Sequence, residues 1–438
     1  MRTFAAGLFW IAVLLVLLVA PPLALLLGDR PGGTGFLWDF AIALGFLALT
    51  MMGLQFLLTA RFRRVTSPYG IDILYYFHRY LAVIALLLVI AHAALLVVEN
   101  PYFLEAFHPF VAPGHLFAGV VSAAAMIALV ASSLWRKQLR LHYDAWRILH
   151  LVLAVGGVVL ALVHVDGVGY YLASPSKRAL WILIVATWGA VVLHVRLVRP
   201  WGLLRRPWRL ARISRERGDS WTLELQPVGH DGLRFLPGQF CWLTIGRSPF
   251  AMKEHPFSIS SSPRPDGTVE VTIKELGDFT RTVGRLEPGT TAFVDGPYGA
   301  FSIDRHDAPG YVFVGGGIGL APLMSMLRAL AERQDRRPHL LVMANSCLER
   351  TTFLEAVREL EGRLDLRVVQ VLEEAPSGWT GELGYIGADL LDRCLPGNRR
   401  DLQYFVCGPT PMIAITERAL YDLGVPMRRC HTELFDLV

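Results

Sequence analysis

Four histidines sit in apolar surroundings at a repeated interval. His78 and His92 lie 14 residues apart in H-R-Y-L-A-V-I-A-L-L-L-V-I-A-H, and His150 and His164 lie 14 apart in H-L-V-L-A-V-G-G-V-V-L-A-L-V-H. In an α-helix a step of 14 rises about 21 Å and stops about 40° short of whole turns, so each pair occupies nearly one face. An ionisable group inside a membrane is costly and is a functional candidate by default, although a single histidine is as readily a packing or hydrogen-bonded residue. Two pairs with identical spacing are harder to explain by packing. Imidazole is a haem-iron ligand, and an iron held by histidine from both sides has no open position: it passes electrons and does not bind oxygen directly. Two such helices can hold two flat cofactors stacked across a bilayer.

The elements that must position these side chains are membrane helices. The chain has 438 residues, enough for two or three domains, and its composition splits near residue 200. The first part is mostly apolar and reads as six spans near 4–27, 36–58, 74–98, 115–134, 145–165 and 179–198, each close to the ~20 residues needed to cross. The first apolar run, interrupted by Pro21-Pro22, is too long for a signal peptide and shows no obvious cleavage site. Arg61, Arg63 and Arg64 follow span two; Arg136, Lys137, Arg140 and Arg147 follow span four; Arg196, Arg199, Arg205 and Arg206 follow span six. The opposite loops hold only Arg30, Lys177 and Arg178, and the loop 99–114 has no Lys or Arg. This bias places both termini and the second half in the cytoplasm of a multi-pass protein of the cytoplasmic membrane. Spans three and five then run parallel, so His78 and His150 share the inner level and His92 and His164 the outer, with one haem per level.

Gly156-Gly157 lies midway between the span-five histidines and permits close helix approach, for a cofactor or for ordinary packing. Arg79 and Arg147 stand beside the inner histidines, where they can pair with haem propionates or snorkel to the interface. His115 and His194 are single and read as non-ligands. Trp181 and Trp188 read as interfacial or packing residues. The formal charge of +5 comes with no Lys/Arg-rich tract, which argues against nucleic acid. All five cysteines fall in the second half without a C-x-x-C pair, which fits a reducing compartment and argues against a disulfide framework and a zinc site.

Residues 207–303 alternate short apolar strands, such as W-T-L-E-L, Q-F-C-W-L-T-I and T-V-E-V-T-I-K, with Pro/Gly turns, the pattern of a small antiparallel barrel or sandwich. Y-V-F-V-G-G-G-I-G-L-A-P-L-M-S-M-L-R-A-L (311–330) then reads as a buried strand, a glycine-rich turn and an amphipathic helix. Such a turn lets backbone approach a pyrophosphate at a helix N-terminus. Further strand–helix units at 339–345 with 350–362, at 366–372, and at 403–413 with 411–423 make a doubly wound parallel sheet.

These segments together resemble the ferric reductase and NADPH oxidase superfamily over nearly the whole length. The fold implied is a six-helix transmembrane bundle (1–200), an antiparallel β-barrel FAD domain (205–303) and an α/β Rossmann-like NAD(P)H domain (308–438). The paired histidines resemble the bis-histidine ligands of two b-type haems, and H-Y-D-A-W-R-I-L-H (142–150) resembles the segment leading to one of them. H-P-F-S (255–258) resembles the flavin motif written R-x-Y-S in soluble reductases. His255 then stands where arginine meets phosphate, Pro256 follows it, Phe257 stands where tyrosine packs on the flavin, and Ser258 lies near flavin N5. I-K-E-L-G-D-F-T (273–280) resembles the pyrophosphate turn, with Lys274, Gly277 and Thr280. Gly315, Gly316, Gly317 and Gly319, with Cys407, Gly408 and Pro409 of C-G-P-T-P-M, resemble the nicotinamide-nucleotide motifs, Cys407 close to the nicotinamide. H-T-E-L-F (431–435) resembles a terminal E-x-F that sets Phe435 against the flavin, although three residues follow it. Ser346 stands where NADPH-preferring relatives often have arginine, and Arg350 is the alternative contact for a 2′-phosphate; NADPH is mildly preferred over NADH. No EF-hand and no long N-terminal extension is expected.

The activity implied is electron transfer from cytoplasmic NAD(P)H through FAD and two haems to an extracytoplasmic acceptor. O2, giving superoxide, is preferred over a ferric chelate because the outer loop lacks clustered acidic or Met ligands, and His108 there either shapes the acceptor site or belongs to a plain lid. One rival is a haem and flavin subunit serving a periplasmic partner protein or quinone. Another is a transporter or sensor regulated by a nucleotide domain, which predicts no haem. Lipid is the surrounding partner in every case.

Overall fold

A computed structural model describes residues 2–27, 35–63 and 71–434. Phe435, Arg30 and Arg64 lie outside the described residues. The chain forms two compact units, Met1–Arg199 and Pro200–Val438.

The first unit consists of long apolar helices: α1 (Arg2–Leu26), α2 (Phe36–Leu58), α3 (Ile71–Glu99), α4 (Gly114–Leu134), α5 (Tyr143–Val168) and α6 (Pro175–Leu193). α6 continues through a π-helical turn, His194–Val198, into α7 (Arg199–Leu204). Among the described residues six segments have the length and hydropathy to cross a membrane. Their outer faces expose Leu8, Phe9, Val16, Leu87, Val152 and Leu183, an apolar surface that suits lipid and not water. α1 runs unbroken through Pro21-Pro22, which the sequence pattern reads as an interruption. Trp181 and Trp188 are packing residues, edge to face at 5.8 Å inside the bundle. At mid-α5 the close approach is made at Gly157, whose carbonyl accepts from Ser122 Oγ at 2.7 Å, while a methyl on Gly156 would meet nothing. His194 lies against Phe62.

The second unit opens with an antiparallel sheet of β1 (Trp208–Glu216), β2 (Ser220–Pro227), β3 (Phe240–Ile245), β4 (His255–Ser258), β5 (Val269–Lys274) and β6 (Thr291–Tyr298), ordered β4-β3-β6-β1-β2-β5. The bridge Ile259↔Val271 joins its two edges and closes a barrel over Leu210, Leu223, Leu243, Ile259 and Val271. A parallel sheet follows, of β7 (Tyr311–Gly316), β8 (His339–Asn345), β9 (Leu366–Leu372), β10 (Glu382–Leu383), β11 (Gln403–Cys407) and β12 (Cys430–Glu433), ordered β10-β9-β8-β7-β11-β12. Helices α8 (Leu320–Glu332), α9 (Leu354–Glu361), α10 (Ala388–Cys394) and α11 (Thr410–Asp422) accompany it. β7 is buried at every residue, as a central parallel strand covered on both faces must be. Ser325 of α8 ties barrel and sheet together: its Oγ donates to Ser261 O at 2.6 Å and accepts from Gly238 N at 3.2 Å.

Candidate functional site: two histidine levels and a flavin–nucleotide crevice

In the membrane unit α2 packs along α3 and α4 along α5, whereas α3 and α5, the histidine carriers, pack on these neighbours more closely than on each other. A slot is left between them. The His78 and His150 rings face each other with centroids 6.1 Å apart, inclined at 53°. Two imidazoles binding one metal from opposite sides through bonds of about 2 Å place their centroids about 6 Å apart. Trp146, one turn before His150, flanks that ring at 5.2 Å.

The hydrogen bonds decide which nitrogen is free to coordinate. His92 Nδ1 lies 2.8 Å from the Ala41 carbonyl oxygen, and His164 Nδ1 lies 3.0 Å from that of His115. A carbonyl only accepts, so each Nδ1 carries the proton and each Nε2 keeps its lone pair. His150 reaches the same state another way. Ser133 Oγ spends its hydrogen on Leu129 O at 2.7 Å, so it accepts from His150 Nδ1 at 3.2 Å. His78 Nδ1 is buried without a hydrogen-bond partner among the described residues. Three of four imidazoles are thus held with Nε2 free to bind a metal, their rings oriented by the hydrogen bond each Nδ1 makes. Ser133 and the carbonyls of Ala41 and His115 carry no motif; only the register of neighbouring helices reveals them. The donor set fits a bis-histidine haem at each level. Arg147 lies over the Tyr143 ring at 5.7 Å.

On β4 the alternation of a strand puts His255 and Phe257 on one face and Ser258 on the other. His255 stacks on Phe279 at 4.2 Å and 10°, and Phe257 lies 6.5 Å from His255 and 6.2 Å from Phe279. Phe279, not singled out by the motif, completes an aromatic platform. Ser258 is 5% exposed, and its Oγ has no hydrogen-bond partner among the described residues. Leaving a buried hydroxyl unpaired costs about 1–3 kcal/mol, so it fits a polar atom of a bound flavin. In the turn after β5, Thr280 Oγ1 accepts from Leu276 N and Gly277 N at 2.9 and 2.8 Å. The Gly277 amide assigned to pyrophosphate is therefore engaged within the turn itself.

The order of the parallel sheet reverses between β7 and β11, and the crevice beyond their C-terminal ends is where open α/β sheets bind ligands. Gly315, Gly316, Gly317 and Gly319 lead from β7 into α8 there, opposite Cys407, Gly408 and Pro409. Most of these glycines serve packing. A methyl on Gly315 would meet Leu320 Cδ2 at 2.6 Å, on Gly316 Met412 Sδ at 2.5 Å, and on Gly319 the Cys407 carbonyl oxygen at 2.3 Å. Gly317, at φ +54°, is the one of the four with room for a methyl, which would touch only Lys274 Nζ, at 3.9 Å. Cys407 is fully buried, and burial, reinforced by Glu433, raises its thiol well above the ordinary range. Arg350 is exposed after β8, and the buried Asn345 Nδ2 at the end of β8 has no hydrogen-bond partner among the described residues, a candidate nucleotide contact missed by motif reading.

Fold and site thus define a bundle of helices long and apolar enough to cross a membrane, followed by an antiparallel barrel and a parallel α/β sheet with a crevice at its switch point. Residues 44–162 match the ferric reductase like transmembrane component, 218–302 an FAD-binding domain and 313–418 the oxidoreductase NAD-binding domain. The chain is a fusion of the ferric reductase/NADPH oxidase type. Among curated relatives, it is 27% identical over 186 residues to NADH-cytochrome b5 reductase 1 of Mortierella alpina, covering 42% of this chain and 62% of that protein. It is 31% identical over 229 residues to the reductase component of propane 2-monooxygenase of Rhodococcus jostii (strain RHA1), covering 50% and 60%. The chain therefore spans about 60% of the length of these relatives. A solved ferredoxin reductase in carbazole 1,9a-dioxygenase is 26% identical, with a TM-score of 0.47 over 52% of this chain and 69% of that one.

Proposed function

We propose that this protein carries electrons across the cytoplasmic membrane, from cytoplasmic NAD(P)H to an acceptor on the far side. Bound FAD would supply the change from two-electron hydride chemistry to single-electron transfer, and two b-type haems a one-electron route across the bilayer. The chain's own residues bind and orient. His78 with His150, and His92 with His164, would hold the irons. The platform of His255, Phe257 and Phe279 with the Ser258 hydroxyl would seat the flavin, and Gly317 would admit the nucleotide. The observation that carries this reading is the facing of His78 and His150 at 6.1 Å, repeated 14 residues on by two histidines whose Nδ1 atoms are bound to carbonyls. The Lys/Arg distribution supports a cytoplasmic second half. Arg350 favours NADPH, whereas the curated relative from Mortierella alpina is named for NADH.

The favoured acceptor is O2, which a haem held by His92 and His164 would reduce to superoxide by one electron. In the loop 99–114 Glu99 and Glu105 are the only carboxylates and no Met is present, a poor set for a metal chelate. The test is to reduce the purified protein anaerobically with NADPH and mix it separately with O2 and with ferric citrate. Faster haem reoxidation by O2, with superoxide formed, is expected. Faster reoxidation by the chelate makes it a ferric reductase, and slow reoxidation by both implicates a partner protein or quinone.

A further inference from the structure

Two helix hairpins, α2–α3 and α4–α5, repeat one device. In the first, His92 Nδ1 bonds the carbonyl of Ala41, and the residue four further along α2 is Gly45. A methyl there would stand 2.9 Å from His92 Nδ1. In the second, His164 Nδ1 bonds the carbonyl of His115, and the residue four further along α4 is Gly119, where a methyl would stand 2.8 Å from His164 Nδ1. In each the imidazole lies on a helix surface from which the side chain has been removed, beside a carbonyl one turn back.

The likeness extends to the other level. Antiparallel neighbours keep register when one index rises as the other falls. Fourteen residues on from Gly119 is Ser133, and fourteen back from His164 is His150, and these two are in contact at 3.2 Å. The same steps from Gly45 and His92 reach Thr59 and His78. Thr59 Oγ1 donates to Gln55 O at 2.9 Å, as Ser133 Oγ donates to Leu129 O, so each hydroxyl spends its hydrogen four residues back and keeps lone pairs for an N–H. His78 is the histidine whose Nδ1 has no hydrogen-bond partner among the described residues.

We infer that Gly45 and Gly119 are positioning residues for the His92/His164 level, and that Thr59 and Ser133 hold the corresponding places at the His78/His150 level. The glycines let each imidazole settle against its carbonyl with Nε2 directed into the slot, so that both rings address one iron. This rests on the four histidines being haem ligands. A methyl within 3 Å of the ring must turn or displace it, because the ring is trapped between two packed helices.

The test is made on full-length protein in detergent or nanodiscs, by haem content, low-temperature EPR and potentiometric titration. Gly45→Ala and Gly119→Ala should each lower haem from two per chain toward one, or shift the EPR signal and midpoint potential of one haem only. The perturbed haem should be the same in both variants, although the glycines lie on different helices. FAD content and flavin reduction by NAD(P)H should be unchanged. Gly189→Ala, whose methyl meets nothing within 4 Å, should keep both haems. Gly53→Ala, which drives a methyl into the Trp188 ring at 2.1 Å, should lower folded yield without singling out one haem. If either glycine variant fails to assemble, the other carries the test. Two haems with unaltered EPR signals and potentials in both variants would overturn the inference, as would different haems perturbed by the two. A wild-type protein lacking haem would instead overturn the ligand reading beneath it.

Discussion

Gly319→Ala separates two reasons for a glycine-rich turn: close approach of nucleotide, and close approach of the protein's own backbone. The added methyl would stand 2.3 Å from the Cys407 carbonyl oxygen and 2.7 Å from Gly408 Cα. Both obstacles are backbone, held in the parallel sheet by the pairing of β11 with β7. Overpacking a well-filled site typically costs about 1–3 kcal/mol, and a clash with two backbone segments belongs at the upper end. For a unit of roughly 200 residues each kcal/mol moves the melting temperature by about 2–4 °C, so a loss of about 6–12 °C follows. Gly317→Ala is the contrast. Its methyl has only Lys274 Nζ nearby, at 3.9 Å, and the left-handed backbone costs about 1–2 kcal/mol. That variant should melt about 2–8 °C lower and, unlike Gly319→Ala, raise the KM for NAD(P)H. The assay pairs thermal release of flavin fluorescence with steady-state reduction of a soluble artificial acceptor. A Gly319→Ala protein that melts like wild type and differs only in KM would refute the packing assignment.

His164→Ala should lose the outer haem, lowering haem content from two per chain toward one, while NAD(P)H still reduces the flavin; unchanged haem content by pyridine haemochromogen would show the ligand set to be wrong. Ser258→Ala removes a buried hydroxyl with no hydrogen-bond partner among the described residues, so the flavin-free protein should be as stable as wild type or more so, while FAD binds about 2–10-fold more weakly, the worth of one neutral hydrogen bond. Unchanged FAD affinity by fluorescence titration would remove Ser258 from the flavin site. Asp335 is held at about 2 by hydrogen bonds from Arg337. Because the folded carboxyl titrates below its unfolded value of about 3.9, its stabilisation is present above that pH and disappears as pH falls toward 2. Screening at this partly exposed pair leaves about 1 kcal/mol, so Asp335→Asn should melt a few degrees lower at pH 7, with the gap closing in acid; a gap independent of pH would contradict the ion-pair origin.

The apolar runs and their Lys/Arg flanks made the membrane half legible, because length and hydropathy are one-dimensional properties. The four histidines stood out for the same reason: their interval matches the pitch of a helix. The atoms that orient them were not legible. Backbone carbonyls of Ala41 and His115 have no signature, and the places of Gly45 and Gly119 emerge only once α2 is paired with α3 and α4 with α5. At the nucleotide turn Gly315, Gly316 and Gly319 stand against Leu320, Met412 and Cys407, contacts that a run of glycines in a sequence does not reveal. Thr280 belonged to a motif for phosphate, yet its hydroxyl closes its own turn. Phe279 acquires its role from stacking on His255 across the barrel, a contact no local pattern records. The two residues of β10 and the short β12 join the sheet by pairing with longer strands and were too short to read.

The most direct test of transmembrane electron transfer is an anaerobic NADPH titration of the purified full-length protein, followed across the flavin and haem absorbance bands. The expected result is flavin bleaching with reduction of two six-coordinate low-spin haems per chain. Flavin reduction without any haem absorbance would contradict it.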